Sequence, residues 1–317
     1  MTKIIMLILN AQRSGRIRLV TYKLIIFDKR KTITERSPRF QNKIHMQKPT
    51  LMIRHLLFTA RKYLEMSILG SKCSIERTKS RLEKLFTLRS VLPKFYGFED
   101  IRKDFENLFF CSTLIVLPKL IDYHRILFLK SIGNEFFDKI PYLDYYKLII
   151  AYIDYLKMYD CADGYIIIVD YRDISIMNLL ARLNPVELKE FTTIILEGYG
   201  LRIKGIHILT PSKTIDAFLK IVKPLFSPKV ASRFQVHETL ESLHQVISQE
   251  ILPKELEGMD RSLKEIQEDW IDLLSSKESS EYFCEMKKAQ VNEAYRVREM
   301  KNEDMGLPGT FRTLSVD

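Results

Sequence analysis

The chain has 317 residues, of which 46% are hydrophobic and 28% are charged. This balance is typical of a soluble globular protein and excludes a collagen-like, mucin-like or wholly disordered chain. The length predicts about two domains. The aliphatic run Ile4–Leu9 is shorter than the ~20 residues of a membrane span and the ~7–15 residues of a secretory-signal core, so neither is predicted. Four scattered cysteines argue against a zinc cluster or a disulfide scaffold and favour a reducing cytosol.

The net charge of +10 is concentrated at the start of the chain. Residues 1–66 contain 15 Lys/Arg and 3 Asp/Glu, whereas the remaining residues together carry a charge of −2. We interpret residues 1–66 as a basic, unrecognised and poorly ordered segment, because their apolar residues follow no regular period. An alternative hypothesis is that this segment binds nucleic acid or another anionic surface, and such binding would weaken steeply with salt. For the chain as a whole we expect no specific nucleic-acid partner.

Residues 67–118 are predicted to form a small helical unit. Ser74 is a suitable N-cap, and apolar residues at helical spacing predict a helix over residues 77–89 that Pro93 ends. A second helix is predicted from about Phe98 to Phe110, and Leu117-Pro118 marks the boundary of the unit.

Strands and helices alternate in residues 119–260, and this pattern predicts an α/β sandwich with a mainly parallel sheet. The apolar runs of strand length are Arg125–Lys130, Gly164–Asp170, Ile203–Thr210 and Arg233–His237. Helices are predicted over Leu143–Met158, from Asn184-Pro185 with Glu187 closing a capping box, and from Thr210-Pro211. In residues 261–317 we expect one helix, with an apolar face from Leu263 to Leu274, followed by a charged tail in which residues 277–304 lack apolar periodicity.

Motifs of common catalytic sites are absent from the sequence. Asp170 and Asp173 are interpreted as a turn after a strand, and His207, inside an apolar strand, as a hydrogen-bonded core residue. His237 and His244 lack a third metal ligand at a suitable spacing, and Cys161 has no basic neighbour that would favour a thiolate. We therefore predict no catalytic residues, no metal and no cofactor, and favour a binding protein over an enzyme on the same fold.

The segment around residues 210–233 is the most informative. Ile215, Phe218 and Val222 share one helix face, which is typical either of a core helix or of a lid over an apolar ligand. Basic residues flank this helix at Arg202, Lys204, Lys229 and Arg233. Grouped together they would suit a multiply phosphorylated headgroup, although charged pairs are also ordinary solvated surface.

Several stretches, in order and spacing, resemble the CRAL-TRIO (Sec14-like) lipid-binding family, and its tocopherol-transfer branch most of all. They are Gly70–Lys79, Gly164–Asp170, Lys204–Ile208, Ile221–Leu225, and Leu252–Leu256 with Gly258. The resemblance covers about two thirds of the chain. Residues 1–55 match nothing in the family, so they are either a divergent tail or an incorrectly predicted start, and the helical unit is expected to be divergent or incomplete.

The resemblance implies a helical N-terminal unit followed by an α/β/α sandwich, whose sheet and mobile lid helix enclose an apolar cavity. It assigns Arg202, Lys204, Lys229 and Arg233 to the places where tocopherol-transfer relatives bind a phosphoinositide headgroup. It also assigns a pocket set, consisting of Tyr165, Ile167, Leu183, Ile194, Ile195, Tyr199, Ile203, Ile206, Ile215, Phe218 and Val222.

The expected function is that of a non-enzymatic intracellular carrier. Its partners would be a small hydrophobic lipid and a phosphoinositide-bearing membrane surface. We expect a cytoplasmic protein that visits membranes transiently, with endosomal membranes as one candidate. Tocopherol, retinoid, carotenoid, sterol and phospholipid all stay open as the ligand, and the bulk of Tyr165 and Tyr199 suggests that the pocket is no copy of the tocopherol one.

Overall fold

The computed structural model describes residues 62–133, 137–160 and 162–289. The interpretation of residues 1–61 as poorly ordered, that of Cys161 as inert, and that of the tail from residue 290 onwards lie outside the described residues. Within them, none of the helices is both long and apolar enough to cross a membrane.

The N-terminal unit is helical, as predicted, but its segmentation differs. Its helices are α1 over residues 62–70, α2 Ile75–Val91, α3 Ile101–Asp104 and α4 Glu106–Phe109, with a 3₁₀ turn at Pro93–Phe95. Ser74 caps α2, since its side chain accepts a hydrogen bond from the Arg77 N–H at 3.3 Å. Helix α1 reaches into the segment predicted to be poorly ordered, and its Tyr63 is buried.

The second predicted helix of this unit is wrong as a single element. Asp100 caps α3 by accepting hydrogen bonds from the backbone N–H groups of Arg102 and Lys103. Phe105 then leaves the helical conformation, at φ −121° and ψ 17°, and separates α3 from α4. The buried Phe105 ring packs at 6.2 Å from Phe98, so tertiary packing replaces helix continuity at this point.

Five strands form one sheet in the order β1-β2-β3-β4-β5, the order of the sequence. The strands are β1 Ser112–Val116, β2 His124–Ser131, β3 Gly164–Asp170, β4 Ile203–Leu209 and β5 Phe234–His237. All pairs are parallel except β1 with β2, so the prediction of a mainly parallel sheet is confirmed. Strand β1 was not predicted, and it lies before the domain boundary predicted at residue 118.

Further helices connect and follow the strands. They are α5 Tyr142–Tyr159, α6 Ile176–Arg182, α7 Pro185–Thr193 with a π-helical extension Ile194–Gly198, α8 Ile215–Val222, α9 Pro228–Ala231, α10 Leu240–His244, α11 Leu263–Leu274 and α12 Lys277–Lys287. Right-handed crossovers between sequential parallel strands place the connecting helices on one face of the sheet. Helices α5, α7 and α8 accordingly pack in one apolar cluster, and α10 and α11 in a second cluster on the opposite face.

Two predicted helix starts need correction. Asn184 caps α7 through Val186 N–H at 3.0 Å, as predicted, but the Glu187 carboxylate lies 3.7 Å from Lys94 instead of closing a capping box. Helix α8 begins at Ile215 rather than at Thr210, because the Thr210 N–H still bonds to the His237 carbonyl of the sheet at 2.9 Å.

The last described residues are more ordered than predicted. Residues 277–287, expected to belong to a charged tail, form α12 and bury Tyr282, Phe283 and Met286. The Tyr282 hydroxyl donates to the Asp154 carbonyl at 3.1 Å, and the Arg89 guanidinium donates to the Met286 carbonyl at 3.3 Å. Helix α12 therefore ties the N-terminal unit to the sandwich.

Candidate functional site

Helix α8, the predicted lid, lies over one face of the sheet, and we call it the lid helix. Its residues Ile215, Phe218, Leu219 and Val222 are each no more than 8% exposed. The Phe218 ring meets the Tyr171 ring edge-on at 5.9 Å between centroids. The lid helix thus buries two adjoining faces, which agrees with its apolar spacing.

The central strand β3 has two unequal faces. On the face away from the lid helix, Ile166 is 8% exposed and Ile168 is 0% exposed. On the lid face, Tyr165, Ile167 and Val169 are only half-buried, although strands flank β3 on both sides. Protein interiors are normally packed to crystal-like density, so these three alternate positions keep apolar surface that the lid-side elements do not fully cover.

The structure places the whole pocket set in one apolar cluster. Tyr165, Ile167 and Leu183 are its half-buried members, and the others are buried at 8% exposure or less. The Tyr199 hydroxyl is already engaged, because the Arg89 guanidinium donates to it at 2.9 Å. The ring of Tyr199 is therefore held towards the N-terminal unit, and its hydroxyl has a partner within the protein.

The basic residues gather where β4 and β5 begin. Arg202 and Lys204 bracket Ile203 on β4, and the Arg233 guanidinium donates to the Ile203 carbonyl. Lys229 is exposed on the short helix α9, one turn before Arg233. We refer to Arg202, Lys204, Lys229 and Arg233 as the basic cluster.

One carboxylate that sequence reasoning missed holds half of the basic cluster. Asp163 lies 3.1 Å from the Arg202 guanidinium and 3.3 Å from the Lys204 ammonium. A Cβ at Gly164 would lie 2.7 Å from the Lys204 side chain, so only glycine leaves room for that chain to reach Asp163. The sequence did contain a signal for this contact. Asp163 directly precedes β3, which pairs with β4 in parallel, so its carboxylate is expected near the residues that begin β4.

Arginines of α2 extend the positive surface. Burial, followed by the like charges of Arg77 and Arg202, lowers the pKa of Arg81. The Arg81 guanidinium donates to the Gly70 carbonyl at 3.2 Å, which fixes it beside the basic cluster. These arginines lie far from β4 in sequence, so spacing alone could not group them with Arg202.

A buried ion pair joins the helical unit to α5. Arg89 and Asp154 are 3% and 1% exposed, and their side chains meet at 2.5 Å. The Tyr96 ring lies 4.5 Å from the Arg89 guanidinium, in a cation–π contact. The two residues lie 65 positions apart in sequence, so a local sequence pattern does not predict their pairing.

The histidine prediction is confirmed by a pair on the face away from the lid helix. His207 Nδ1 and His237 Nε2 lie 3.0 Å apart, and His237 Nδ1 lies 3.1 Å from the Ser242 hydroxyl. Burial, followed by the neighbouring His237, lowers the pKa of His207 to about 4. A Cβ at Gly205 would lie 2.9 Å from His207 Nε2, so this glycine makes room for the buried ring.

The acidic turn after β3 also behaves as predicted. The Asp170 carboxylate accepts a hydrogen bond from the Arg172 backbone N–H at 3.1 Å and pairs with the Arg172 guanidinium at 2.8 Å. Lys130 lies 2.7 Å from Asp173. In the described ranges no group of three or more His, Cys, Asp or Glu side chains is arranged to hold a metal ion.

Two open clefts lie outside the pocket set. One, of 790 Å³, separates the lid helix from α9 and is lined by residues that include Leu219, Lys220, Lys223 and Phe226. The other, of 340 Å³, lies between α5 and α11 and is lined by residues that include Tyr155, Tyr159 and Trp270.

Comparison with known proteins covers the sandwich. Residues 123–258 match the family model described as CRAL/TRIO domain. "Alpha-tocopherol transfer protein-like" from Mus musculus is 30% identical over 124 residues, which is 39% of this chain and 36% of that protein. "Clavesin-2" from Rattus norvegicus is 30% identical over 98 residues, which is 31% of this chain and 30% of that protein.

The match therefore spans little more than a third of the curated relatives' own length. Among solved structures, the crystal structure of Sfh5 aligns over 73% of this chain and 81% of its own, with a TM-score of 0.48 and 11% identity. That likeness is too distant to carry an argument.

Proposed function

Since residues 123–258 of this chain match the CRAL/TRIO domain model, we propose that the protein is a cytoplasmic carrier that binds a small hydrophobic lipid beneath the lid helix. It releases or collects this lipid at phosphoinositide-bearing membranes, which it visits transiently. The family is known for lipid binding and transfer, and the name of one relative contains the words transfer protein. The proposed activity is binding and transfer, with no catalytic step.

The half-buried lid face of β3 carries the proposal. Tyr165, Ile167 and Val169 keep accessible apolar surface in the middle of a sheet. A lipid lying against them would remove this surface from water, and each Å² of apolar surface covered contributes about 25 cal/mol. Covering this surface therefore provides a favourable free energy for binding an apolar molecule, which a close-packed core would not provide.

The lid helix is suited to move as one piece. It is bounded by the turn before Ile215 and by the 3₁₀ turn Lys223–Leu225, which contains Pro224. The 790 Å³ cleft already separates it from α9 on one side. Opening would expose Phe218 and Val222, and a membrane surface would lower the cost of that exposure.

The basic cluster supplies the membrane contact in this proposal. A headgroup promotes opening only if it binds the open form better than the closed form. Displacing Asp163 from Arg202 and Lys204 would provide such a difference, because phosphate groups would replace a carboxylate that the closed form retains. Each Lys or Arg near an anionic surface contributes about 1 kcal/mol, or roughly fivefold in affinity.

Lipid uptake tests the cavity directly. The full chain is incubated with liposomes of a eukaryotic total lipid extract, reisolated, and extracted for mass spectrometry. Ile167→Trp is expected to abolish uptake, because the larger ring fills space beside a half-buried residue. Met259→Trp, at an exposed loop position, is the control and should leave uptake unchanged. Normal uptake by a folded Ile167→Trp variant would refute the cavity.

Liposome flotation tests the membrane contact. Lys229→Ala should weaken binding to vesicles containing phosphatidylinositol bisphosphate by roughly fivefold. Lys264→Ala, an exposed change on α11 at the opposite face of the sheet, is the matched control. Equal binding by both variants and the wild type would remove the basic cluster from the mechanism.

A further inference from the structure

Tyr171 contacts the lid helix where β3 ends, and two tyrosines of α5 lie near its phenol. Tyr142 and Tyr146 lie in the first turns of α5, with ring centroids 6.3 Å apart. Tyr171 directly follows β3 and contacts Phe218 of the lid helix. The pKa of Tyr171 is raised first by burial and then by Tyr142 and Tyr146, so the three phenols lie within electrostatic range of one another.

Two of these phenols lack a hydrogen bond. The hydroxyl oxygens of Tyr142 and Tyr146 are buried, and neither has a partner in the described part of the chain. Tyr146 is 6% exposed and its ring stacks on Phe191 at 4.5 Å, so the side chain cannot turn towards water without breaking this packing. Buried polar groups in proteins are almost always paired, and an exception calls for an explanation.

Neighbouring phenols are satisfied by the protein. The Tyr145 hydroxyl, in the same turn of α5, lies 3.4 Å from the Cys111 sulfur. The Tyr199 hydroxyl accepts from Arg89. The buried hydroxyls that lack partners elsewhere in the described residues are those of Tyr63, Tyr96 and Tyr152.

Those other hydroxyls lie away from the lid helix. The phenols of Tyr63 and Tyr96 lie in the electrostatic surroundings of Arg89 and Asp154. Tyr152 packs against Trp270 at 5.3 Å. The unpaired hydroxyls of Tyr142 and Tyr146 are therefore the ones that share a cluster with Tyr171, the ring in contact with the lid helix.

We propose that Tyr142 and Tyr146 form the polar end of the lipid site and bind a terminal hydroxyl group of the ligand. The inference rests on the proposed carrier function. A phenol both donates and accepts a hydrogen bond, so one ligand hydroxyl accepts from the first tyrosine and donates to the second. The ligand class is then a lipid alcohol or phenol, rather than a pure hydrocarbon.

One cation lies beside this end of the site. The nearby cation is Arg182, whose guanidinium lies 5.1 Å from the Tyr142 ring centroid. Its Nη2 donates to the Ile140 carbonyl at 2.5 Å, whereas its buried Nη1 lies 3.8 Å from the Asp138 carboxylate and has no hydrogen-bond partner in the described residues. The two tyrosine hydroxyls supply both the donor and the acceptor that a ligand hydroxyl needs, and a carboxylate facing the Arg182 Nη1 is the alternative that the binding test distinguishes.

Binding of cis-parinaryl alcohol and its methyl ether tests the inference with the full chain. Both are fluorescent polyenes of the same chain length, and the ether cannot donate a hydrogen bond. The wild type is expected to bind the alcohol about tenfold more tightly, which corresponds to about 1.4 kcal/mol. Of Tyr142→Phe and Tyr146→Phe, the variant that loses the accepting phenol should reduce this preference to near unity and leave affinity for the ether unchanged. The variant that loses the donating phenol should weaken binding of both probes, because the ether oxygen also accepts a hydrogen bond.

Tyr152→Phe is the matched control, because it also removes a buried unpaired hydroxyl from α5. It should retain the tenfold preference. An unliganded readout accompanies the binding data. Tyr146→Phe should raise the thermal midpoint of the empty protein, since an unpaired hydroxyl is removed from the interior. A lowered midpoint would mean that the hydroxyl has a partner in solution, and would overturn the inference.

The outcomes separate this inference from the proposed function. If the wild type binds the alcohol and the ether equally, and Tyr146→Phe changes neither affinity, the polar end is wrong and the carrier function stands. If the wild type prefers parinaric acid and loses this preference in Arg182→Gln, the head group is a carboxylate and the hydroxyl assignment is overturned. If no probe binds and no lipid is taken up from liposomes, both fail.

Discussion

The stability of this protein should fall in mildly acidic solution because of the buried pair of His207 and His237. His207 has a pKa of about 4, below the ordinary value of 6.5. Between these two pH values the His207 imidazole is protonated in the unfolded chain and neutral in the folded chain. The contribution of His207 is therefore fully present above pH 6.5, is lost progressively as the pH falls, and changes no further below about pH 4.

The magnitude follows from the size of the shift. Each pKa unit corresponds to about 1.4 kcal/mol, so the loss approaches about 3 kcal/mol at low pH. At pH 5, where the unfolded imidazole is almost fully protonated, the same arithmetic gives about 2 kcal/mol. His207 is 6% exposed, so solvent screening does not reduce this value greatly.

Urea unfolding at pH 8 and pH 5 measures the effect. His207→Gln keeps a polar side chain beside His237 and cannot gain a proton. The variant is compared with its own stability at pH 8, so any general loss of packing cancels. Its decline between the two pH values should be smaller than that of the wild type by about 2 kcal/mol. An equal decline in both proteins would refute the account of the pair.

Two further predictions concern charged groups. Asp154→Ala leaves the buried guanidinium of Arg89 unpaired and should lower the free energy of unfolding by about 3–5 kcal/mol, as measured by urea unfolding; a loss below about 1 kcal/mol would contradict the assigned burial. Asp163→Asn releases Arg202 and Lys204 from their carboxylate and should tighten binding to phosphatidylinositol bisphosphate vesicles in flotation assays. Weaker binding of that variant would mean that Asp163 orders the basic side chains for the headgroup instead of competing with it.

The sandwich was largely predictable because β2 to β5 are apolar runs of strand length in the sequence. Gly164–Asp170 is a continuous β-branched run, and the structure forms β3 over those same residues. Strand β1 escaped because Ser112–Val116 is a five-residue run that directly follows a helical segment, with no turn signal before it. Its place at the sheet edge is fixed by antiparallel pairing with β2, which a local pattern does not reveal.

The last described helix was not predicted because charged residues obscure its apolar periodicity. In Lys277–Lys287 the apolar residues Tyr282, Phe283 and Met286 lie among charged neighbours, and their burial depends on surfaces of α2 and α5. The unpredicted break at Phe105 has a similar cause, since a tertiary contact overrides helix propensity there.

The site was only partly accessible to sequence reasoning. The spacing of Ile215, Phe218 and Val222 predicts a buried helix face, and the structure has it. The sequence pattern does not predict the contact between Asp163 and Arg202. It also does not predict that the hydroxyls of Tyr142 and Tyr146 lack hydrogen-bond partners. Such features depend on side-chain positions brought together by the sheet and its crossovers.

The central claim is that the interior beneath the lid helix carries a lipid. The most direct measurement is native mass spectrometry of the wild-type chain purified from eukaryotic cells, followed by extraction and identification of what is bound. We predict one lipid per chain, released on denaturation and carrying a terminal hydroxyl. A chain that stays at its bare mass after purification, and also after incubation with liposomes of a eukaryotic lipid extract, would contradict the carrier function.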